Sequence, residues 1–211
     1  MKEFFNTIDE YLKDQRTLEE ALADANSTCG QIKDSGERRH FATGAVRDIQ
    51  HASKGRCDLL PLREAAECAE GWESWQKEIL VLLDAFQNSG SPEILREVLV
   101  LFGKHRYPDA STMLLELAIH MAAGSEKYGE NNWRLGINTK HYIDSGVRHY
   151  LKLLRGDKDE PHDRAFCFNI ICALWTCRHR PELNDYRTAA PWQNNFPAEG
   201  VSTENEKNRI D

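Results

Sequence analysis

The sequence predicts an all-α fold, in which four core helices form a bundle and further segments are added to it. Apolar residues recur at spacings of three and four along most of the chain, which indicates amphipathic helices. Proline and glycine separate these stretches, and almost none of them alternates between apolar and polar residues as a half-buried strand does. With 211 residues, the chain is long enough to bury one sizeable core.

The first half of the chain contains two predicted helices. From Phe4 to Ala25, apolar residues recur at helical spacing. The stretch from Cys29 to Asp58 is richer in glycine and charge, so we expect irregular backbone there. From Leu62 to Phe86 the helical pattern returns, with Trp72 and Trp75 on its apolar face. These tryptophans fit core or oligomer contacts better than a surface for another protein.

The second half contains four predicted helices, and most have a residue that marks a start or an end. Pro92 follows a serine and suits a first helical position, and Asp109 or Ser111 is a candidate N-cap. Gly156 suits the position after a helix end, and Pro161 precedes the last helix. We predict helices at residues 93–102, 110–128, 139–154 and 163–177. The expected organisation is an N-terminal helix within residues 1–30, a helical domain at 31–180 and a disordered polar tail at 181–211.

Composition excludes several classes of function. The net charge of −7 and the lack of a basic patch argue against binding to duplex DNA or RNA. No apolar run reaches the roughly 18 residues that a membrane helix needs, and no signal peptide is visible. The six cysteines form no CxxC pair, so we do not expect a structural zinc site. Since no export signal is visible, we expect reduced thiols and a cytoplasmic location.

The last predicted helix carries the first candidate site. It is apolar nearly all round and should be buried, yet Asn169 interrupts the run. A buried amide without partners costs about 1–3 kcal/mol, so Asn169 must bond a neighbouring helix or a substrate. His162 lies two turns earlier on the same face. The stretch Asp157–Asp163 has four carboxylates and an imidazole, which could hold a divalent cation or form a solvated acidic loop.

Two other helices carry polar residues four positions apart. Asp144 and Arg148 share a face, with His149 beside them. Glu116 and His120 share a face of an otherwise apolar helix. Such pairs are usually surface ion pairs or core contacts, but side chains from facing helices can also converge on a metal. The simplest chemistry for this set is Mg²⁺ that bridges phosphate oxygens and positions water.

Five motifs occur in order along the chain. They are Thr43-Gly-Ala-Val-Arg-Asp48, Lys54-Gly-Arg-Cys-Asp-Leu-Leu-Pro61, Gly124-Ser-Glu-Lys-Tyr-Gly-Glu-Asn-Asn-Trp133, Arg148-His149 with Gly156, and His162 with Asn169. From Arg39 to Arg178 the chain resembles the N-terminal domain of the phage dATP/dGTP diphosphohydrolase family. It departs from compact relatives by a helical insertion at about residues 62–112.

The resemblance implies a metal-dependent hydrolase that converts dGTP, dATP or both to the monophosphate and pyrophosphate. The metal would be Mg²⁺, with Mn²⁺ or Co²⁺ as alternatives. It also implies a MazG-like all-α architecture, a homo-oligomer in the host cytoplasm, and a role in phage nucleotide pools such as 2-aminoadenine DNA synthesis. The ExxE…ExxD pattern of MazG-type enzymes is not plainly present, and Glu116 with His120 and the stretch Asp159–Asp163 would replace it.

The resemblance also assigns roles to individual residues. The expected metal ligands are Glu116, His120, Asp144, Asp159 and Asp163. The expected catalytic residues are Asp144, His149, His162 and Asp163. Phosphates would meet Lys54, Arg56, Lys127 and Arg148, the base would stack on Tyr128 and Trp133, and Asn132 and Asn169 would bond the purine edges. Alanine at Asp144 or Asp163 is expected to remove activity with an almost unchanged melting curve.

Two other functions also fit the sequence. His162-Asp163 is a literal HD dipeptide, and with His120 or His149 upstream and Asp185 downstream it could belong to an HD-type phosphohydrolase. That enzyme would release triphosphate from a dNTP, or it would act on a monophosphate. Alternatively, the same pocket could bind or sequester a nucleotide without turnover, which the missing ExxE pattern favours.

Overall fold

The computed structural model describes residues 36–49 and 54–187. The predicted helix at Phe4–Ala25 and residues 188–211 of the predicted tail therefore lie outside the described residues. The described part of the chain is all-α, as predicted from the sequence, and its one sheet is a two-stranded hairpin.

Six α-helices form the body of the described part of the chain. They are α1 (Leu62–Cys68), α2 (Ser74–Ser89), α3 (Pro92–Arg106), α4 (Ala110–Tyr128), α5 (Thr139–Arg155) and α6 (His162–His179). Strands β1 (Arg38–His40) and β2 (Val46–Asp48) pair antiparallel, with Arg39 opposite Arg47. Short 3₁₀ helices lie at Cys57–Leu59, Asn132–Leu135 and Pro181–Leu183.

Local sequence determines where these helices begin and end. Asp109 caps α4, because its side chain accepts a hydrogen bond of 2.8 Å from the backbone N–H of Thr112. A capping box formed by Glu73 and Gln76 starts α2. Gly90 then closes α2 with φ of 65°, a left-handed conformation that glycine adopts without strain.

Helix α6 lies at the centre and packs against α5, α3 and α4. The ring of Phe166 on α6 lies 4.6 Å from that of Phe102 on α3 and 5.2 Å from that of Tyr150 on α5. Helix α3 falls in the segment predicted as an insertion, yet it supplies fully buried core residues. Gly146 lets α5 approach α6, because a Cβ at this position would lie 3.2 Å from Ile170 Cδ1.

The observed elements differ from the predicted ones in three places. The stretch Leu62–Phe86 forms two helices, α1 and α2, and Gly71 with φ of 78° lies in the break between them. The hairpin occupies a stretch expected to be irregular. Residues 181–187, assigned to the tail, pack on the body: Asn184 is buried and donates a hydrogen bond of 2.9 Å to the Gly90 carbonyl.

Two further properties of the described residues bear on the composition. None of their helices is both long and apolar enough to cross a bilayer. Their cysteines are free thiols: three are buried in α6, Cys68 is exposed and Cys57 is half-buried.

Candidate active site

A cavity of about 750 Å³ opens between the hairpin and the helices. Its walls come from β2, the 3₁₀ turn at Cys57–Leu59, the second half of α4, much of α5 and part of α6. This volume lies within the range of about 300–1,000 Å³ that is typical of small-molecule sites. The cavity can therefore hold a ligand of nucleotide size.

The cavity is basic although the whole chain is acidic. Six basic side chains line it: Arg39, Arg47, Lys54, Arg148, Lys152 and Arg155. Four acidic side chains line it as well: Asp48, Asp144, Asp159 and Glu160. Because the chain carries a net charge of −7, this local excess of positive charge marks a site for an anion.

Three of the basic side chains have no carboxylate partner within the described residues. Lys54 and Arg39 form no ion pair there, and Arg39 lies over the Phe41 ring at 5.2 Å. Arg47 donates a hydrogen bond of 2.6 Å to Asn169 Oδ1 and lies over the ring of Tyr142. These cations retain their charge for a ligand, and the two guanidinium groups suit phosphate oxygens.

A chain of polar contacts runs from the cavity wall into the α5–α6 interface. Lys152 Nζ donates to Asp159 Oδ2 at 2.8 Å, and Asp159 Oδ1 lies 2.9 Å from His162 Nε2. His162 Nδ1 lies 3.0 Å from Nδ1 of His149, which lines the cavity. His162 is itself 2 % exposed. Its position is fixed because a buried imidazole needs partners for its nitrogens.

The protein environment sets the charge of these groups. Burial, and then the nearby imidazole of His162, hold the pKa of His149 well below its ordinary value, so His149 is neutral near pH 7. The hydrogen bond from Lys152 holds the pKa of Asp159 below its ordinary value. An ionised Asp159 can only accept, so His162 carries a proton on Nε2.

Asp144 anchors the segment at residues 54–57 to α5. The residue is 3 % exposed. Its carboxylate accepts a hydrogen bond of 2.7 Å from the Cys57 backbone N–H and forms a close ion pair with Arg148. Arg148 in turn donates to the carbonyls of Lys54 at 3.0 Å and Gly55 at 3.4 Å. Asp144 therefore holds the cavity wall in place.

The hairpin is attached to α4 and to the turn that follows it. Asp48 accepts hydrogen bonds of 2.8 Å from both Lys127 Nζ and Tyr128 Oη. Burial raises the pKa of Asp48, but these two hydrogen bonds and the positive charges of Lys127 and Arg38 together lower the pKa overall. The amide of Asn132 accepts from the Val46 N–H at 2.7 Å and donates to its carbonyl at 2.8 Å. Asn132 thus pairs with Val46 as a neighbouring strand would.

The structure brings most of the sequence-predicted residues to one cavity. Those that line it are Lys54, His120, Tyr128, Asn132, Trp133, Asp144, Arg148, His149, Asp159 and Asn169. His162 lies directly behind His149. Arg56 forms an exposed pair with Asp58, and Lys127 is committed to Asp48. Arg56 and Lys127 are not part of the cavity wall.

The five predicted metal ligands do not converge. Glu116 pairs closely with Arg164, and Asp163 accepts hydrogen bonds from Arg106 at 2.9 and 3.1 Å. Neither carboxylate lines the cavity: Glu116 pairs with an arginine of α6, and Asp163 pairs with an arginine of α3. His120 does line it, and burial lowers the pKa of His120 to about 4, so it stays neutral.

Two other groups of side chains have the spacing of metal ligands. Within each, one ligand atom per residue lies within 4.8 Å of the others: His149, Glu160 and His162, and also Asp157, Asp159 and His162. Both share His162 at the α5–α6 interface. The donors in these groups are imidazoles and carboxylates, which bind divalent cations.

The geometry does not support an HD-type site. His162 and Asp163 are neighbours in sequence but point apart, His162 to His149 and Asp163 to Arg106. Asp185 accepts from the N–H of Lys140 at the start of α5. That point is about 13 Å along the helix from His149, at 1.5 Å per residue.

Several residues that line the cavity had no role predicted from the sequence. Arg47 and Asp48 belong to a quoted motif, and Glu160 belongs to the quoted acidic stretch, but none of them received a role. Arg39 and Lys152 lay outside the motifs. The spacing of three and four on α5 could have identified Lys152, because it shares a face with Arg148 and His149.

Comparison with known proteins gives one match. Residues 99–186 match the family described as dATP/dGTP diphosphohydrolase, N-terminal. The match covers less than half of the protein. It includes the end of α3, all of α4, α5 and α6, and both His149 and His162. No curated protein and no solved structure matches the chain.

Proposed function

From the match of residues 99–186 to the family described as dATP/dGTP diphosphohydrolase, N-terminal, we propose that this protein hydrolyses purine deoxynucleoside triphosphates in the basic cavity. The products would be the monophosphate and pyrophosphate. The observation that carries the proposal is the convergence of Arg39, Arg47 and Lys54, none of them neutralised by a described carboxylate, on a cavity of nucleotide size. The physiological setting would be remodelling of a purine deoxynucleotide pool, with a phage-infected cell as the expected context.

The reaction adds water to the α-phosphorus and breaks its bond to the oxygen that bridges to the β-phosphorus. The pyrophosphate leaves with that electron pair, so negative charge grows on its oxygens. Arg47 and Lys54 can stabilise this charge, and Arg39 lies on the same wall. Asp159 orients His162, which in turn contacts His149, and the proton of the attacking water passes to bulk water.

A divalent metal, when bound, would neutralise phosphate oxygens and lower the pKa of the attacking water. The donors that fit it are those of the two groups at the α5–α6 interface, described above. The carboxylates of Glu116 and Asp163 are committed to arginines.

The amides have narrower roles than reading a purine edge. Both ends of the Asn132 side chain bond Val46, so Asn132 positions the hairpin. Asn169 accepts from Arg47 and donates to the Ala165 carbonyl at 2.7 Å, so it positions Arg47. The base would lie against the aromatic part of the lining, which includes Trp133, Tyr128 and Phe168.

Product analysis tests the proposal directly. The purified protein is incubated separately with dATP, dGTP, dCTP and dTTP, each with Mg²⁺, Mn²⁺ or Co²⁺, and the products are separated by ion-exchange chromatography. Purine monophosphate with pyrophosphate supports the proposal and names the substrate. Nucleoside with triphosphate indicates an HD-type reaction. Tight binding of nucleotide without turnover by any metal would leave a sequestering protein as the function.

A pair of arginine variants tests whether the cavity is the site. Arg47→Met removes a charge-assisted hydrogen bond, which is worth about 1.5–3 kcal/mol and corresponds to roughly 10–100-fold weaker binding of the triphosphate. Arg63→Met is the matched control, because Arg63 forms an exposed pair with Asp84 and does not line the cavity. Equal KM values for both variants and the parent protein would exclude the cavity as the substrate site.

A further inference from the structure

We propose that His149, His162 and Glu160 form a centre that selects a divalent transition-metal ion, such as Co²⁺, over Mg²⁺. As the metal centre of the hydrolase, this site rests on the proposed function, but binding of the ion can be measured without turnover. It differs from the ligand set expected from the sequence, because it uses two imidazoles at the α5–α6 interface and excludes Glu116 and Asp163.

The spacing of the ligand atoms fits one ion. The nitrogen and oxygen ligand atoms of the three residues lie within 4.8 Å of one another. The two Nδ1 atoms are 3.0 Å apart. Two imidazole nitrogens that each lie about 2.0–2.1 Å from an ion, at an angle near 90°, are about 2.9 Å apart. An ion can therefore bind both Nδ1 atoms once the two imidazoles turn their lone pairs towards it.

The second ring nitrogen of His162 has the hydrogen-bond partner that is typical of a metal-ligating histidine. Imidazole ligands almost always donate the N–H of their other nitrogen to a carboxylate or carbonyl, which fixes the tautomer. His162 has this arrangement, because its Nε2 lies 2.9 Å from Asp159 Oδ1 and leaves Nδ1 with a lone pair. Lys152, 2.8 Å from Asp159 Oδ2, holds that carboxylate in place. Asp159 and Lys152 are thus positioning residues.

The mixture of donors determines which ions the centre prefers. Mg²⁺ favours oxygen ligands and keeps several waters, whereas imidazole suits Zn²⁺, Co²⁺ and related ions. A site with two imidazoles and one carboxylate is therefore matched to a transition metal. The cavity side stays open beside His149, which leaves room for water and phosphate oxygens.

Without a metal, the distance of 3.0 Å between the two Nδ1 atoms would be that of a hydrogen bond between the imidazoles. His149 would donate its Nδ1 proton to Nδ1 of His162, and the pair would be a simple hydrogen bond inside the helix interface. The two accounts differ in one measurable property, which is whether a transition-metal ion binds through both imidazoles.

The test is a metal titration of the full-length protein after treatment with a chelator and dialysis. Co²⁺ is added, its visible d–d absorption is recorded, and calorimetry gives the affinity; Mg²⁺ is titrated by calorimetry alone. We expect Co²⁺ to bind at least about tenfold more tightly than Mg²⁺. His149→Gln should weaken Co²⁺ binding at least tenfold and change the absorption, and Asp159→Asn should weaken it by about 10–100-fold.

The matched control is His105→Gln, because His105 is exposed and stacks on Trp75 away from the cavity. This variant should bind Co²⁺ as the parent protein does. Circular dichroism checks that each variant is folded, and Glu160→Gln, which alters a half-buried side chain, provides a second test if His149→Gln does not fold. Equal affinities for Co²⁺ and Mg²⁺, or unchanged Co²⁺ binding by folded His149→Gln or Glu160→Gln, would overturn the proposal.

Failure of the metal centre and failure of the hydrolase can be told apart. If Co²⁺ binds as expected but no dNTP is hydrolysed with any metal, the centre stands and the proposed function fails. If purine dNTPs are hydrolysed and His149→Gln changes neither the affinity for Co²⁺ nor the metal requirement of the reaction, the proposed function stands and the proposed metal centre is wrong.

Discussion

Replacing Asp144 by alanine should destabilise the whole protein as well as its site. Asp144 is buried, accepts the Cys57 N–H at 2.7 Å and pairs with Arg148, whose side chain is 16 % exposed. Breaking a buried ion pair typically costs about 3–5 kcal/mol, because one charge is left unpaired. Arg148 keeps the carbonyls of Lys54 and Gly55 as acceptors, so we expect the lower end, about 3 kcal/mol.

A loss of this size is easily measured. For a protein of this length, each kcal/mol corresponds to about 2–4 °C in Tm, so Asp144→Ala should melt about 6–12 °C below the parent protein. The assay is thermal unfolding followed by circular dichroism. Asp144→Asn should fall between the two, because an amide oxygen can still accept from Cys57. The sequence-based expectation of an almost unchanged melting curve is not what this geometry implies.

The control is a carboxylate in an exposed ion pair. Glu93 pairs with Arg178, and their side chains are 62 % and 42 % exposed. Exposed pairs contribute about 0–1 kcal/mol, so Glu93→Gln should shift Tm by no more than about 4 °C. If Asp144→Ala melts no lower than Glu93→Gln, Asp144 does not anchor the cavity wall and our account of residues 54–57 is refuted.

Three further outcomes follow from the described geometry. The pKa of His120 falls from 6.5 to about 4 on folding, so between these pH values the unfolded chain binds a proton that the native protein does not. The free energy of unfolding should therefore decrease as the pH drops from 6.5 to 4, by up to about 1.4 kcal/mol per pH unit. Denaturant titrations of His120→Gln should show a smaller decrease. Gly90→Ala should cost more than Gly156→Ala in the same titrations, because a Cβ at residue 90 would lie 2.7 Å from backbone atoms of Tyr186 whereas none lies within 4 Å of residue 156; equal losses would contradict this. Leu115 is 68 % exposed on α4. If the homo-oligomer that the resemblance implies buries this face, Leu115→Glu should lower the molar mass in light scattering, and a monomeric parent protein would reject that oligomer.

Helix positions were the most predictable part of the fold. The sequence predicts a helix at residues 110–128, and α4 has those bounds, because an N-cap aspartate and an unbroken helical pattern both lie within the segment itself. The break inside Leu62–Phe86 was missed, although Glu73 and Gln76 have the spacing of a capping box and Gly71 precedes them.

The hairpin could not be predicted from local pattern. Its strands are three residues long and mostly charged, and they carry no alternation of apolar and polar residues. What stabilises it is distant in sequence: Asn132 bonds Val46, and Asp48 bonds Lys127 and Tyr128, about eighty residues away. The sequence identifies the motif Thr43–Asp48, but it does not indicate which distant residues bond to this motif.

The site was predictable as a set of helix faces and not as a set of contacts. The seven-residue spacing of His162 and Asn169 correctly indicated one buried face of α6. The partner of Asn169 is Arg47, 122 residues earlier. Likewise, helical spacing cannot show that Glu116 and Asp163 each meet an arginine, because the choice depends on how the helices pack.

The distribution of the cysteines makes the protein suitable for site-selective chemistry. Burial raises the pKa of Cys167 and of Cys177 to about 12, so these thiols resist alkylation and oxidation in the folded state. Among the described residues, Cys68 is exposed and offers an attachment point for a fluorophore on α1. Cys57 is half-buried in the cavity wall, so its slower rate of modification can report whether the cavity is occupied, without following any reaction.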